Sequence, residues 1–266
     1  ANLDAYKMAA CSIDTAVRNL IVLGVDLKKI ALLDNFCWCS PDEKERLYQL
    51  KRAAEACHDY ALSYLTPFIS GKDSMYNDFN GFNGKNVKTK ISIPPTLLIS
   101  SIGVVNSIQD LTSILPSAKD LIYIIGDTKE ELGGSEYGDI NGYENTNVPS
   151  VDAKTAFQLY KTFGQANKKK LISSAISVHM GGLGVALSKM SIAAELGLKL
   201  DLSKINAFGS SNTLFSESQS RIVASVKPYN RKEFEKLFNK QSLTRIGKCI
   251  AEQSIFITFS KNDFVK

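Results

Sequence analysis

The run Leu97-Leu98-Ile99-Ser100-Ser101-Ile102-Gly103-Val104-Val105 constrains the fold more than any other stretch. It is dense in β-branched residues, which suit a pleated, half-buried surface. It is also too apolar for one small sheet with exposed edges. A strand of this kind needs cover.

The segments around it read as alternating helices and strands. Asp4 can cap a helix reaching about Leu23, with Met8, Ala9, Ala16, Leu20 and Leu23 at helical spacing and Gly24 as its stop. Ile30 to Leu33 reads as a short buried strand ending at Asp34-Asn35. There the carboxylate serves equally well as a ligand group or as a turn former. Ser40 and Glu43 fit a capping box with Pro41 at the first helical position. The helix after them carries Leu47, Leu50, Ala54, Cys57 and Ala61 to about Tyr64. His58 on that helix reads as a packed or surface histidine, with Asp59 facing elsewhere.

Pro67-Phe68-Ile69 is followed by a short polar loop, Ser70-Gly71-Lys72-Asp73-Ser74-Met75. Glycine allows close backbone approach and lysine supplies a point charge, so this loop is a candidate phosphate site; the same pattern also describes an ordinary turn. Asn77 to Asn86 reads as a hairpin-like connection, and Lys88 to Ile93 alternates with Val87, Ile91 and Ile93 on one side. The polar stretch Pro116 to Asp120 marks a boundary, giving units 1–117 and 118–266. The second unit reads as strands near Leu121–Ile125, Leu171–Val178, Leu198–Leu202, Ile222–Val226, Ile246–Ile250 and Ile255–Phe259. Helices fall at Ala153–Ala166 (capped by Asp152), Leu183–Leu196 and Arg231–Asn239. The fold class is α/β (α+β), in two units.

The net charge of +5 over 266 residues is modest, and Lys168-Lys169-Lys170 has no aromatic stripe beside it. A solvated basic surface is expected rather than a nucleic-acid face. Cys11, Cys37, Cys39, Cys57 and Cys249 lack the paired spacing of a zinc site, so reduced thiols and a cytoplasmic location are expected. The first residues carry no signal-peptide pattern, and no apolar stretch is long enough to span a membrane. A start inside a helix-like segment leads to the expectation of a fragment or subunit.

Four segments together resemble one family. They are Leu33-Asp34-Asn35-Phe36-Cys37-Trp38, Ser70-Gly71-Lys72-Asp73-Ser74-Met75, Leu132-Gly133-Gly134-Ser135-Glu136-Tyr137 and Leu214-Phe215-Ser216-Glu217-Ser218-Gln219-Ser220-Arg221. In this order they resemble the C-terminal half of the synthetase portion of phosphoribosylformylglycinamidine synthase, in the aminoimidazole ribonucleotide synthetase-like superfamily. The resemblance implies an N-terminal barrel-pairing α/β unit and a C-terminal α/β unit. Barrel pairing agrees with the apolar run at Leu97, since closure buries strand edges. It also implies an ATP-dependent ligase of purine biosynthesis that uses glutamine-derived ammonia to turn formylglycinamide ribonucleotide into its amidine.

By the same resemblance, Asp34 and Gly71 contact ATP, and Ser74 contacts the substrate. Lys72 stands where related sequences have a magnesium-binding asparagine. A lysine cannot ligate magnesium, so Lys72 is expected beside a phosphate, with magnesium coming mostly from a partner half. Ser177 and Met180 replace two acidic positions of the family pattern, and the histidine lies at His179. Neither the first half's catalytic histidine motif nor the glutaminase nucleophile segment is in the chain. No catalytic residue and no metal ligand is assigned here. The expected partners are an N-terminal synthetase half and a glutaminase, with a homodimer if the chain stands alone. The alternative is a non-catalytic half that holds a nucleotide or completes the barrel.

Overall fold

Two sheets of unequal size share helices between them. The computed structural model describes residues 3–143, 146–260 and 263–265. Ala1 and Asn2 of the start, and Glu144-Asn145 of the polar loop before Pro149, lie outside the described residues.

The first unit runs α1 (Ala5–Val22), β1 (Ile30–Cys37), α2 (Lys44–Tyr64), β2 (Phe68–Ser74), β3 (Asp78–Phe82), β4 (Lys88–Ser92) and β5 (Thr96–Gly103). Asp4 caps α1 by accepting the Lys7 N–H at 2.9 Å. The expected capping box of α2 does not form: the helix starts at Lys44, with Glu43 as its cap and no side-chain bond. Ser40 Oγ instead takes the Asp42 N–H at 3.4 Å, in a turn outside the helix. The buried face of α2 is also rotated from the expected one. Ala53, Ala56, Tyr60 and Tyr64 go inward, and Leu47 is left exposed. The tyrosines carry hydroxyls that find partners inside, so a polarity count overlooks them. His58 is at the surface as expected, but its Nδ1 lies 3.0 Å from Asp59 Oδ1.

Strands β2, β1 and β5 form a three-stranded sheet in that order, parallel between β1 and β2 and antiparallel between β1 and β5. The polar segment after Ile69 is therefore an edge strand, not a loop. Pairing with β1 holds it extended, and the register slips by one residue at Leu32/Leu33. The inner face, with Leu32 and Leu97, packs on the helices. The outer face leaves Leu98 and Ile102 more than half exposed, at 55% and 54%. Strands β3 and β4 make a separate hairpin, with Phe79 and Ile91 directly opposite and exposed.

The second unit runs β6 (Leu121–Ile125), α3 (Glu136–Asn141), α4 (Ala153–Lys168), β7 (Ser174–Val178), α5 (Gly182–Ala194), β8 (Gly197–Asp201), α6 (Gly209–Phe215), β9 (Arg221–Val226), α7 (Arg231–Leu237), β10 (Leu243–Ile250), β11 (Ile255–Ser260) and β12 (Asp263–Val265). Its seven strands are ordered β12-β11-β8-β10-β6-β9-β7 in a mixed sheet. One face, through Tyr123, Ile125, Ile222 and Ala224, joins the core that also holds α1, α2 and α4. The opposite face, through Ile122, Ile124, Val223 and Leu198, packs with Leu183, Ala186 and Met190 of α5. The Lys168–Lys170 run is paired rather than simply solvated, to Asp26, Glu233 and Asp110. All five cysteines are free. No helix among the described residues is long and apolar enough to cross a membrane.

Candidate functional site

The four motifs gather into two places, and helix α1 ties them together. At the first, β1 and β2 run side by side, so Asp34 lies opposite Gly71, Asn35 opposite Lys72, and Cys37 opposite Ser74. Paired residues share a face and successive residues alternate. Asp34 and Gly71 therefore face the helices, while Lys72 and Ser74 face outward with Leu98. The four expected site residues are neighbours in the sheet but are split across its two faces.

On the inner face, a Cβ at position 71 would lie 2.5 Å from Asp34 Oδ1, so only glycine leaves room for that carboxylate. Desolvation raises the pKa of Asp34, and the charge of Asp73 pushes the same way; the Lys72 backbone amide offsets part of this. On the outer face, Lys72 Nζ donates to Ser74 Oγ at 3.0 Å. The result is an exposed cation and a hydroxyl on an open strand, which suits a phosphate chemically.

At the second place, the Leu132–Tyr137 and Leu214–Arg221 motifs meet through Glu217. Its Oε1 accepts the Glu136 N–H at 3.0 Å, at the start of α3, and the Gly181 N–H at 2.9 Å, before α5. Burial raises the pKa of Glu217, while those two backbone donors favour its charged form. Tyr137 stacks on Phe215 with ring centroids 4.9 Å apart. Ser216 Oγ donates to the Lys129 carbonyl, and the Lys129 N–H donates to Ser218 Oγ. Gly182 has φ +67°, and a Cβ there would come within 2.5 Å of the Leu214 carbonyl.

The tie is a fully buried Asp14–Arg18 ion pair on α1. Asp14 accepts from Ser220 N at 2.9 Å, Ser220 Oγ at 3.1 Å, Tyr64 Oη at 2.6 Å, and Tyr160 Oη. Arg18 donates to the Val178 carbonyl at 3.0 Å and to Gln219 Oε1 at 3.1 Å. Buried charges persist only when paired and hydrogen-bonded in this way. Sequence reading missed this pair. Its signal was an acid and an arginine four residues apart among Ala9, Ile13, Val17 and Ile21. Glu131 was missed too: it is buried, Oε1 takes both donors of Ser150 at 3.1 Å, and Oε2 has no partner.

His179 follows β7, half-buried, and Ser177 Oγ donates to Asn19. No group of three or more His, Cys, Asp or Glu among the described residues is placed to hold a metal ion.

A mixed sheet with helices on both faces and a polar, glycine-pinned end built by motifs three and four defines a class. The family model described as "AIR synthase related protein, C-terminal domain" matches residues 118–260, and the chain belongs to that family. Among relatives, it is similar to phosphoribosylformylglycinamidine synthase subunit PurL of Methanocaldococcus jannaschii, 32% identical over 92% of this chain and 33% of that protein. The subunit of the same name from Methanococcus aeolicus is 35% identical over 89% of this chain and 32% of that protein. The chain thus spans about a third of the length of the curated relatives it matches. Among solved structures, "T. maritima PurL complexed with FGAR" superposes with a TM-score of 0.73 at 17% identity, over 99% of this chain and 42% of that one. The ATP complex of the same protein gives 0.70 at 18% identity, over 98% and 40%. These structures share the AIR synthase-like fold.

Proposed function

We propose that the chain is one half of the synthetase portion of an ATP-dependent phosphoribosylformylglycinamidine synthase, a carbon–nitrogen ligase of purine biosynthesis that is incomplete without its other parts. One observation carries this reading. The chain aligns over nearly its whole length with about a third of PurL subunits at 32–35% identity. Solved PurL structures of the same fold are complexed with FGAR and with ATP.

Asp34, Gly71 and Lys72 are the proposed nucleotide contacts and Ser74 the proposed substrate contact. ATP bound here would supply the phosphoryl group that turns an amide oxygen into a leaving group for ammonia. Lys72 neutralises phosphate charge from the outer face, and its bond to Ser74 fixes the hydroxyl beside it. Asp34 stays on the helix side, where Gly71 makes its space. Lys72 cannot itself ligate magnesium, so in this reading the metal comes mostly from the other half. The proposed partners are that N-terminal half, seated on the exposed face of Leu98 and Ile102, and a glutaminase domain or subunit. Isolated, the chain pairs with itself through the same face, and its compartment is the cytoplasm.

A second reading, a half that only holds a nucleotide or completes a barrel, draws on Ser177 and Met180, which stand where the family pattern has acidic residues. One substitution separates the two. In the complete enzyme, Ser74→Ala is expected to lower kcat/KM by more than about tenfold, roughly 1.4 kcal/mol of transition-state stabilisation, with thermal stability unchanged. Wild-type turnover with altered thermal stability favours the second reading.

A further inference from the structure

Helices cover only part of one face of the seven-stranded sheet. Tyr123 of β6 lies under Phe234 of α7, and the core continues across β9 and β7. Beyond β6, over β10, β8 and β11, the same face is open and forms a groove of about 490 Å³. That volume falls within the ~300–1,000 Å³ usual for small-molecule sites.

Lys199 of β8 and Lys248 of β10 are directly opposite each other on this face, and Leu121 of β6 completes the row. Arg245, paired with Tyr123, lies further along β10, and Lys204 joins from the turn after β8. Like charges directly opposite in an antiparallel pair are destabilising. Of the nearby acids, Asp201 lines the groove itself, and its charge interacts with that of Lys204. Asp201 Oδ1 is engaged by the N–H and hydroxyl of Ser203, at 3.0 and 2.6 Å. Glu235 is engaged by Tyr123 at 2.9 Å and Arg231 at 3.0 Å. Asp120 pairs with Lys227 at 3.2 Å. Lys199, Lys204, Arg245 and Lys248 are all exposed and form no ion pair among the described residues.

We propose that this groove is a second anion site, taking a ligand with a di- or triphosphate group. A flat guanidinium at one end and lysines set opposite each other provide several donors over a short distance, which suits adjacent phosphates better than a single charge. Leu121 and the stems of the lysines supply apolar contact for whatever the phosphates carry. The site is separate from the Lys72–Ser74 edge, which lies on the other sheet.

The test titrates the full chain with inorganic pyrophosphate while backbone amides are followed by NMR. Saturable shifts at Lys199, Gly247 and Lys248 are expected. The Lys199→Gln/Lys248→Gln double variant is expected to bind at least about tenfold more weakly and to be no less stable, since it removes a repulsive pair. Arg245→Gln provides a second reading of the same loss if the double variant does not fold. Shifts confined to other regions, or unchanged affinity in these variants, overturn the proposal. So does equal affinity for sulfate, which would mean an adventitious ion only, or for a poly-glutamate peptide, which would make the groove a surface for acidic protein.

Discussion

The two sheets solve the same problem differently. The seven-stranded sheet carries apolar residues on both faces, and the chain's own helices cover most of them. The three-stranded sheet packs its inner face on α1 and leaves Leu98, Ile102 and the edge of β2 open. Of its proposed ligand-contacting residues, Gly71, Lys72 and Ser74 lie on the β2 edge and Asp34 beside them on the central strand, whereas motifs three and four are packed against the larger sheet's end. The larger sheet is covered on one face by helices that include α1 and α2 of the first unit, whereas the smaller sheet leaves its outer face open. The two share one apolar core, and within it the Asp14–Arg18 pair adds a polar tie that reaches from α1 to Ser220, Gln219 and Val178.

Breaking that tie should have the largest effect. Asp14→Ala strands the Arg18 charge in the core along with two tyrosine hydroxyls, and removing one partner of a buried pair costs about 3–5 kcal/mol. Chemical denaturation should show this as a lower midpoint. Asp14→Ala with Arg18→Leu should recover part of the loss, because no unpaired charge remains. A single-variant cost below about 1 kcal/mol would mean that the apolar core alone joins the units.

The same contrast explains what the sequence revealed. Periodicity and β-branching exposed most strands and long helices, because those elements bury apolar residues at fixed spacing. It did not expose the register between β1 and β2, which places Asp34 and Lys72 on opposite faces. Alternation assigns faces within one strand, but only pairing relates two strands. The Ser70–Met75 segment read as a loop because its residues are polar; as an edge strand it needs no apolar side. The short helices α3 and α6 were invisible for a similar reason, being held by Glu217, Ser135 and the Tyr137–Phe215 stack rather than by an apolar stripe. The buried ion pair was hidden because one sequence does not show which polar residues have partners.

The open face gives a smaller, distinct effect. Leu98→Asp with Ile102→Asp should leave unfolding free energy within about 1 kcal/mol of the parent, since both side chains are already more than half exposed. The same pair should convert a self-associated chain to monomer in sedimentation velocity. A parent that is already monomeric at all concentrations would remove the self-pairing role of this sheet, while a destabilised variant would show that the face is covered within the chain.

The smallest effect concerns His179, between the junction and the finished sheet. Burial, then the charges of Arg18 and Lys189, hold its pKa below the ordinary 6.5. The unfolded chain therefore takes up this proton at a pH where the folded chain does not. Its contribution to stability is complete above 6.5 and falls as the pH drops toward the folded value, where the loss levels off. The slope cannot exceed one proton, about 1.4 kcal/mol per pH unit. Asp34 and Glu217, whose pKa values are raised, act in the opposite sense: they take up protons sooner in the folded chain and so favour folding on acidification in the carboxylate range. Subtracting the pH–stability curve of His179→Gln from that of the parent isolates the histidine. A difference that grows with acidification just below 6.5 places the imidazole neutral against the Arg18 charge at the junction. Two curves of equal slope would mean that the ring is free to solvent and outside the tie between the units.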